Sequence, residues 1–177
     1  MAKTIWALDP THSEVGFKVK HLMFTNVSGK FNAFSATVES EDDDFSTAKI
    51  SFAAEANSVD TGNGDRDNHL KGADFFDADN YPQVTFSGKE MKKVSDGVYH
   101  LSGDLTMRGV TQPVTLEAEY GGQMKDPWGN TKAGFSLSGK INRKDFGLAW
   151  NAPLEAGGVL VSEEVKLQAE VQFVKQG

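Results

Sequence analysis

The sequence predicts an all-β fold, an antiparallel barrel closed from eight or nine strands, and three observations carry that prediction. Apolar and polar residues alternate with period two through most of the 177 residues. Turn signals rich in glycine, asparagine and aspartate separate the alternating runs. Long amphipathic strands expose reactive edges unless the sheet closes on itself, so an eight-stranded barrel is favoured over a sandwich. The length suits one domain covering residues 1–177.

A first strand falls at residues 5–8. Val15, Phe17 and Val19 then alternate with Glu14, Lys18 and Lys20, and a further run covers 27–38, with a turn signal at Ser28-Gly29. The acidic run Glu41-Asp42-Asp43-Asp44 sits at a strand end and reads as a solvated loop. Ile50, Phe52, Ala54 and Ala56 alternate with Lys49, Ser51, Glu55 and Asn57. After Gly62-Asn63-Gly64 the alternation stops. In Asp65-Arg66-Asp67-Asn68-His69-Leu70-Lys71-Gly72-Ala73, acidic residues occupy the first turn and Leu70 lies three residues from Ala73, which suits a short helix near the barrel mouth. Strands resume at 84–91 and 99–107 around Asp96-Gly97. Val114, Leu116, Ala118 and Tyr120 lead to a predicted Gly121-Gly122 turn. Asp126-Pro127-Trp128-Gly129-Asn130 precedes Ala133, Phe135, Leu137, Gly139 and Ile141. Val165, Leu167, Ala169, Val171 and Phe173 follow the Ala156-Gly157-Gly158 turn.

The faces assigned inward mix large and small residues: Phe17, Phe52, Phe86 and Phe135 beside Ala54, Ala56, Ala118, Gly139 and Ala169. An eight-stranded barrel is filled by side chains or holds one small ligand. Alternation alone leaves open whether the small residues make room for a ligand or for larger neighbours across a filled core. A cavity so lined takes an apolar occupant. Burying about twenty ligand carbons contributes on the order of 15 kcal/mol gross, at roughly 0.8 kcal/mol per CH₂. Association and ordering offset much of that, and a few polar groups then select the head.

Composition removes several function classes. The formal charge of −7, from 25 acidic and 18 basic residues, repels phosphate backbones, so no nucleic acid partner is expected. No apolar stretch approaches the ~20 residues that cross a bilayer, so no stable membrane insertion is expected. Cysteine is absent, which removes disulfides, thiolate nucleophiles and Cys-ligated metals. The opening residues lack a leader-like apolar segment, so the chain as written reads as cytoplasmic; a trimmed leader would make it periplasmic.

Candidates for chemistry are few. His12, His21, His69 and His100 include no pair at i,i+4, so they read as exposed or hydrogen-bonded residues and no metal site is expected. Ser13 follows His12, and neighbours on a strand point to opposite faces, so the two do not share a proton. Ser58, Ser87 and Ser138 sit in no nucleophile elbow, and no catalytic residue is nominated. The densest polar cluster surrounds Arg66 and His69. Those two side chains suit a phosphate or hydroxyl head group at the mouth. A structural reading stands ahead of that one: Arg66 pairs with a carboxylate and Asp67 caps the helix.

Trp6-x-x-Asp9-x-x-His12-Ser13-x-Val15-x-Phe17-x-Val19-x-His21 resembles the opening signature of the YceI-like family of lipocalin-like polyisoprenoid-binding proteins. Arg66-Asp67-x-His69-Leu70-x-x-x-Asp74-Phe75-Phe76-Asp77, followed by Tyr81-Pro82 and Phe86, is similar to its second signature. Gly103-Asp104-Leu105-Thr106, Gly109-Val110-Thr111-Gln112-Pro113-Val114 and Asn142-Arg143-Lys144-Asp145-Phe146-Gly147 extend the match in order over nearly the whole chain. The resemblance implies a lipocalin-like extended antiparallel barrel with an elongated pocket for polyisoprenoid or amide-type lipids. Members are often dimers, which implies a homodimer, and many are exported. Carried over by motif, Phe17, Val19, Phe75, Phe76 and Phe86 are candidates for the pocket wall, beside Phe52, Ala54 and Phe135 from the alternation. His21, Arg66, His69 and Asp74 are candidates for its polar end or for holding the central segment against the barrel.

The expected function is to bind a polyisoprenoid, a quinone or a polyprenyl phosphate, and to shield it from water. No cofactor beyond the bound lipid is required. The alternative is an enzyme acting on a lipid or stress metabolite around residues 66–74.

Overall fold

The computed structural model describes residues 2–21, 25–148 and 161–176. Among them are the strands β1 (Lys3–Leu8), β2 (Glu14–His21), β3 (Thr25–Phe31), β4 (Phe34–Glu41), β5 (Asp44–Glu55) and β6 (Val59–Asp60). A helix, α1 (Gly64–Lys71), separates these from β7 (Gln83–Ser95), β8 (Val98–Met107), β9 (Val110–Lys125), β10 (Thr131–Asn142) and β11 (Val161–Lys175).

These segments make eight staves of a closed antiparallel barrel. β1 and β2 share one edge of β11: Leu8 faces Phe173, and Phe17 faces Leu167. The next stave, β3 with β4, pairs back along both of them, and β5 with β6 pairs along that one. The remaining strands follow as a meander, each beside its predecessor, until β11 returns to β1 and β2.

The first three staves bend at one level. The breaks are the 3₁₀ turn Pro10–His12, the pair Asn32-Ala33, and the 3₁₀ turn Ala56–Ser58. Pairings on either side, Ala7 with Thr37 and Gly16 with Lys30, place the first two breaks side by side. Asn32 N–H donates to the Ser58 carbonyl at 3.1 Å and Glu55 N–H to the Ala33 carbonyl at 2.9 Å, joining the second to the third. The predicted run 27–38 therefore holds two strands with a crease between them.

Asp9 pins this crease. Its carboxylate accepts from Thr11 N–H at 3.1 Å and Thr11 Oγ1 at 2.7 Å, meets His12 Nδ1 at 2.8 Å, and accepts from Lys132 Nζ on β10 at 2.7 Å. The Lys132 ammonium, then Thr11 and His12, hold the Asp9 carboxyl well below the usual carboxylate range. Ser13 Oγ accepts from Gln172 N–H at 3.0 Å. His12 thus closes a 3₁₀ turn, and the sequence reading that placed it on a strand beside Ser13 is corrected.

Two predicted turns are strand interior. Ser28-Gly29 lies within β3, because Gly29 sits under the Phe17 ring; a Cβ there would come 2.4 Å from Phe17 Cζ. Gly121-Gly122 lies within β9 at a bulge, where the register slips between Gly122↔Gly134 and Tyr120↔Phe135, and Gly122 takes φ +110°. Ala156-Gly157-Gly158 lies outside the described residues. The turns at Asp96-Gly97 and 126–130 are where the sequence put them.

The barrel's two ends differ. Around one lie the Asp42-Asp43, Asp96-Gly97 and 126–130 turns, and there Trp6, Phe45, Tyr120 and Phe135 stack with ring centroids 5.0–5.4 Å apart. Trp6 is fully buried, and among the described residues its Nε1 has no hydrogen-bond partner, which costs about 1–3 kcal/mol. Around the other end lie α1, the 72–82 segment, the Arg108-Gly109 turn and the turn Arg143–Phe146.

Asp9→Asn is predicted to cost about 1–3 kcal/mol in denaturant unfolding at pH 7, as expected for a partly buried, charge-assisted bond. The folded Asp9 carboxyl titrates below its unfolded value of about 3.9, so its contribution is complete above that pH. It is lost as pH falls through the folded value, so the gap between wild type and Asp9→Asn should narrow from pH 4 downwards. A gap that widens on acidification would contradict this assignment.

Candidate functional site

Inside the staves lies a cavity of about 380 Å³, within the range typical of small-molecule sites. Its wall is built from the inward positions of the alternating strands, so the period-two pattern that makes the barrel also makes its lining apolar. Phe45, Phe135 and Phe173 bound it towards the aromatic end, Met91, Leu101 and Leu105 continue the wall, and Met107 lies beside the Arg108-Gly109 turn at the α1 end. Thr61, Arg66, His69 and Arg143 border it at the α1 end.

Of the apolar candidates, Phe17, Val19, Phe52, Phe75, Phe76, Phe86 and Phe135 line this cavity. Ala54 does not: it is fully buried between Phe34 and Val84 in the sheet and faces packed neighbours. Of the small residues assigned inward, Ala118 and Ala169 line the cavity. Ala56 is buried in its 3₁₀ turn, and Gly139 makes room for Leu116, whose Cδ2 would lie 2.5 Å from an added Cβ. Ala36 and Ala48, which the sequence reading passed over, also line it.

The mouth is covered by α1 and the segment after it. None of α1's residues is fully buried, and Leu70, its one apolar side chain, is all that it packs against the core. An eight-residue helix is marginal without outside contacts. Hydrogen bonds supply them. Asn63 caps the helix by accepting from Arg66 N–H at 3.1 Å. Asp67, the cap expected from sequence, instead accepts from Thr61 N–H at 2.8 Å and Thr61 Oγ1 at 2.6 Å. Arg66 donates through Nε to Thr61 Oγ1 at 2.7 Å and through Nη2 to the Thr61 carbonyl at 2.8 Å, so its partners are a hydroxyl and a carbonyl, where a carboxylate was expected. Thr61 therefore organises the mouth, and no local motif marks it in the sequence.

Beyond the helix, Phe75 and Phe76 are buried and anchor the cover from below. Phe76 meets Phe31 edge-on at 5.7 Å, and Phe31 meets Phe17 at 5.9 Å. Arg108 Nη1 latches the segment from above by donating to the Phe75 carbonyl at 3.2 Å. His69 Nε2 lies 2.9 Å from Asp74 Oδ2, and its ring meets Phe75 edge-on at 5.1 Å. The pair thus sits at the mouth, His69 on the cavity side. His21 ends β2, but its side chain lies outside the described residues.

Arg143 is the one residue of its motif that enters the wall. The residue is 4 % exposed, and its guanidinium donates to the Leu148 carbonyl, to the Ser162 carbonyl at 2.9 Å and to the Val161 carbonyl at 3.4 Å. It ties the turn after β10 to the start of β11. Burial pulls its pKa below the ordinary value, with Glu163 opposing. Among the described residues there is no cluster of three or more metal-ligating side chains, and no helix is long and apolar enough to cross a membrane.

The YceI-like domain family model matches residues 6–173. A UPF0312 protein of Staphylococcus aureus strain N315 is 39% identical over 171 residues, covering 96% of this chain and 97% of its own. The structure of a YCEI protein from Campylobacter jejuni superposes with TM-score 0.77 at 36% identity, over 96% of each chain. The fold also matches BcnA of Burkholderia cenocepacia (TM-score 0.81, 22% identity, 93% of this chain and 98% of that one). It matches a polyisoprenoid binding domain from Saccharophagus degradans as well (TM-score 0.64, 14% identity, 97% and 98%).

Thr61→Val is predicted to free α1 while leaving the barrel intact. Hydrogen exchange of the 64–71 amides should accelerate roughly tenfold, equivalent to ~1.4 kcal/mol, with β8 amides unchanged. Equal acceleration in both would show that Thr61 supports the whole barrel and not its cover.

Proposed function

The chain belongs to the YceI-like family, and on that premise we propose that its barrel binds a polyisoprenoid, a quinone or a polyprenyl phosphate, and carries it shielded from water without acting on it. One observation carries this reading: a cavity inside the barrel walled by aliphatic and aromatic side chains, with the charged ones, among the described residues, collected at a single end. A hydrocarbon chain loses water along its length in such a space, and its head meets polar groups once. The fold shared with the Saccharophagus degradans polyisoprenoid binding domain supports the choice of lipid.

The alternative, turnover around residues 66–74, predicts a chemically altered ligand. Native mass spectrometry of the purified protein, beside a solvent extract of the same sample, separates the two. The proposal expects a discrete added mass, an isoprenoid in the extract unchanged by prolonged incubation, and loss of that mass in Phe52→Glu, which places a carboxylate in the apolar wall. A bare polypeptide mass persisting after incubation with long-chain quinones and polyprenyl phosphates would overturn it, as would extraction of a converted lipid.

A further inference from the structure

Resting on the lipid-binding reading above, we propose that the aromatic end of the barrel is a ruler for the ligand's tail, with Phe45 as its stop, so that prenyl chains are selected by length. Phe45 and Phe135 line the cavity, whereas Trp6 and Tyr120, which stack against them, do not. Phe45 touches all three of the others, with ring centroids 5.3 Å from Trp6, 5.4 Å from Tyr120 and 5.0 Å from Phe135. Tyr120 and Phe135 complete the group at 5.1 Å. The lining side chains next along the strands towards the mouth are small: Ala48 follows Phe45 on β5, and Ala118 precedes Tyr120 on β9. Within a few residues the lining thus changes from methyl group to phenyl ring, and the space ends in a step.

That step is rigid. Trp6, Phe45 and Phe135 are buried, and each ring is held by the others, so none turns aside without overpacking a neighbour. Leu8, Val38 and Val171 pair with Phe173, Trp6 and Phe135 on neighbouring strands and add aliphatic wall beside the rings. The step therefore reads bulk and length. A tail shorter than the space leaves the floor uncovered and forgoes the burial and dispersion contact available there. A tail one isoprene unit too long either forces the rings apart or leaves a unit in water at the mouth. The longest tail that reaches from the mouth to Phe45 thus marks a cutoff.

The test is native mass spectrometry of the intact protein after exposure to an equimolar mixture of all-trans prenyl alcohols, from geraniol upwards in steps of one isoprene unit, supplied in one detergent. Each alcohol leaves a micelle to bind, so a unit left in water weakens binding. Wild type should show a cutoff, with the first excluded length bound at least about tenfold less than the last retained one. Phe45→Ala removes a ring of about the bulk of one isoprene unit and should move the cutoff up by one unit or more. Ala48→Phe sets a ring on top of the floor and should move it down. Retention of the shorter alcohols shows that a variant is folded; if Phe45→Ala fails to fold, Ala48→Phe decides alone. All lengths bound alike by wild type, or an unmoved cutoff in either folded variant, would overturn the proposal and leave the lipid-binding reading standing. No alcohol retained by wild type would bring down both.

Discussion

The return of β11 onto β1 and β2 is the constraint on which the rest of the molecule depends. One strand must serve two partners, because β1 completes the ring at the aromatic end and β2 continues the wall towards α1. A straight strand of that length would carry its side chains off the common inward face, so the chain breaks at Pro10–His12 and restarts. Neighbouring staves break alongside it, at Asn32-Ala33 and Ala56–Ser58. The crease is held by Asp9, whose four contacts reach across to Lys132 on β10. The aspartate and histidine of the opening signature thus serve closure, while its Val15, Phe17 and Val19 line the cavity.

Closure with eight staves sets the interior width, and the side chains decide how it is used. At one end Trp6, Phe45, Tyr120 and Phe135 fill it, even leaving an indole N–H without a partner among the described residues. Along the cavity wall, alanines at 36, 48, 118 and 169 and flexible methionines at 91 and 107 leave space. At the other end a polar helix, stapled by Thr61 and underpinned by Phe75 and Phe76, covers the opening.

The staves were legible in the sequence because each has one wet and one dry face, a pattern that repeats every two residues and survives local irregularity. The helix was legible as the place where that pattern fails. What sequence missed depends on residues brought from elsewhere. Gly29 looks like a turn residue until Phe17 is seen to lie across it, and Gly139 looks like room for a ligand until Leu116 occupies it. Asp67 has the chemistry of a helix cap, but Thr61 lies within its reach and Asn63 takes the cap. Ala54 shares its stave's inward face with Phe52, yet it stands beyond the cavity in packed surroundings, a difference that alternation does not encode.

The central claim is that an apolar chain lies inside the barrel, and the methionine methyl groups report on it directly. Met91 and Met107 line the cavity, while Met124 is 75 % exposed on the outside of β9. In a titration of ¹³C-methyl-methionine protein with a prenyl lipid, the resonances of Met91 and Met107 should shift together and saturate, with Met124 unmoved. Shifts confined to Met124, or none at saturating lipid, would mean that the chain lies on the surface or nowhere on this protein.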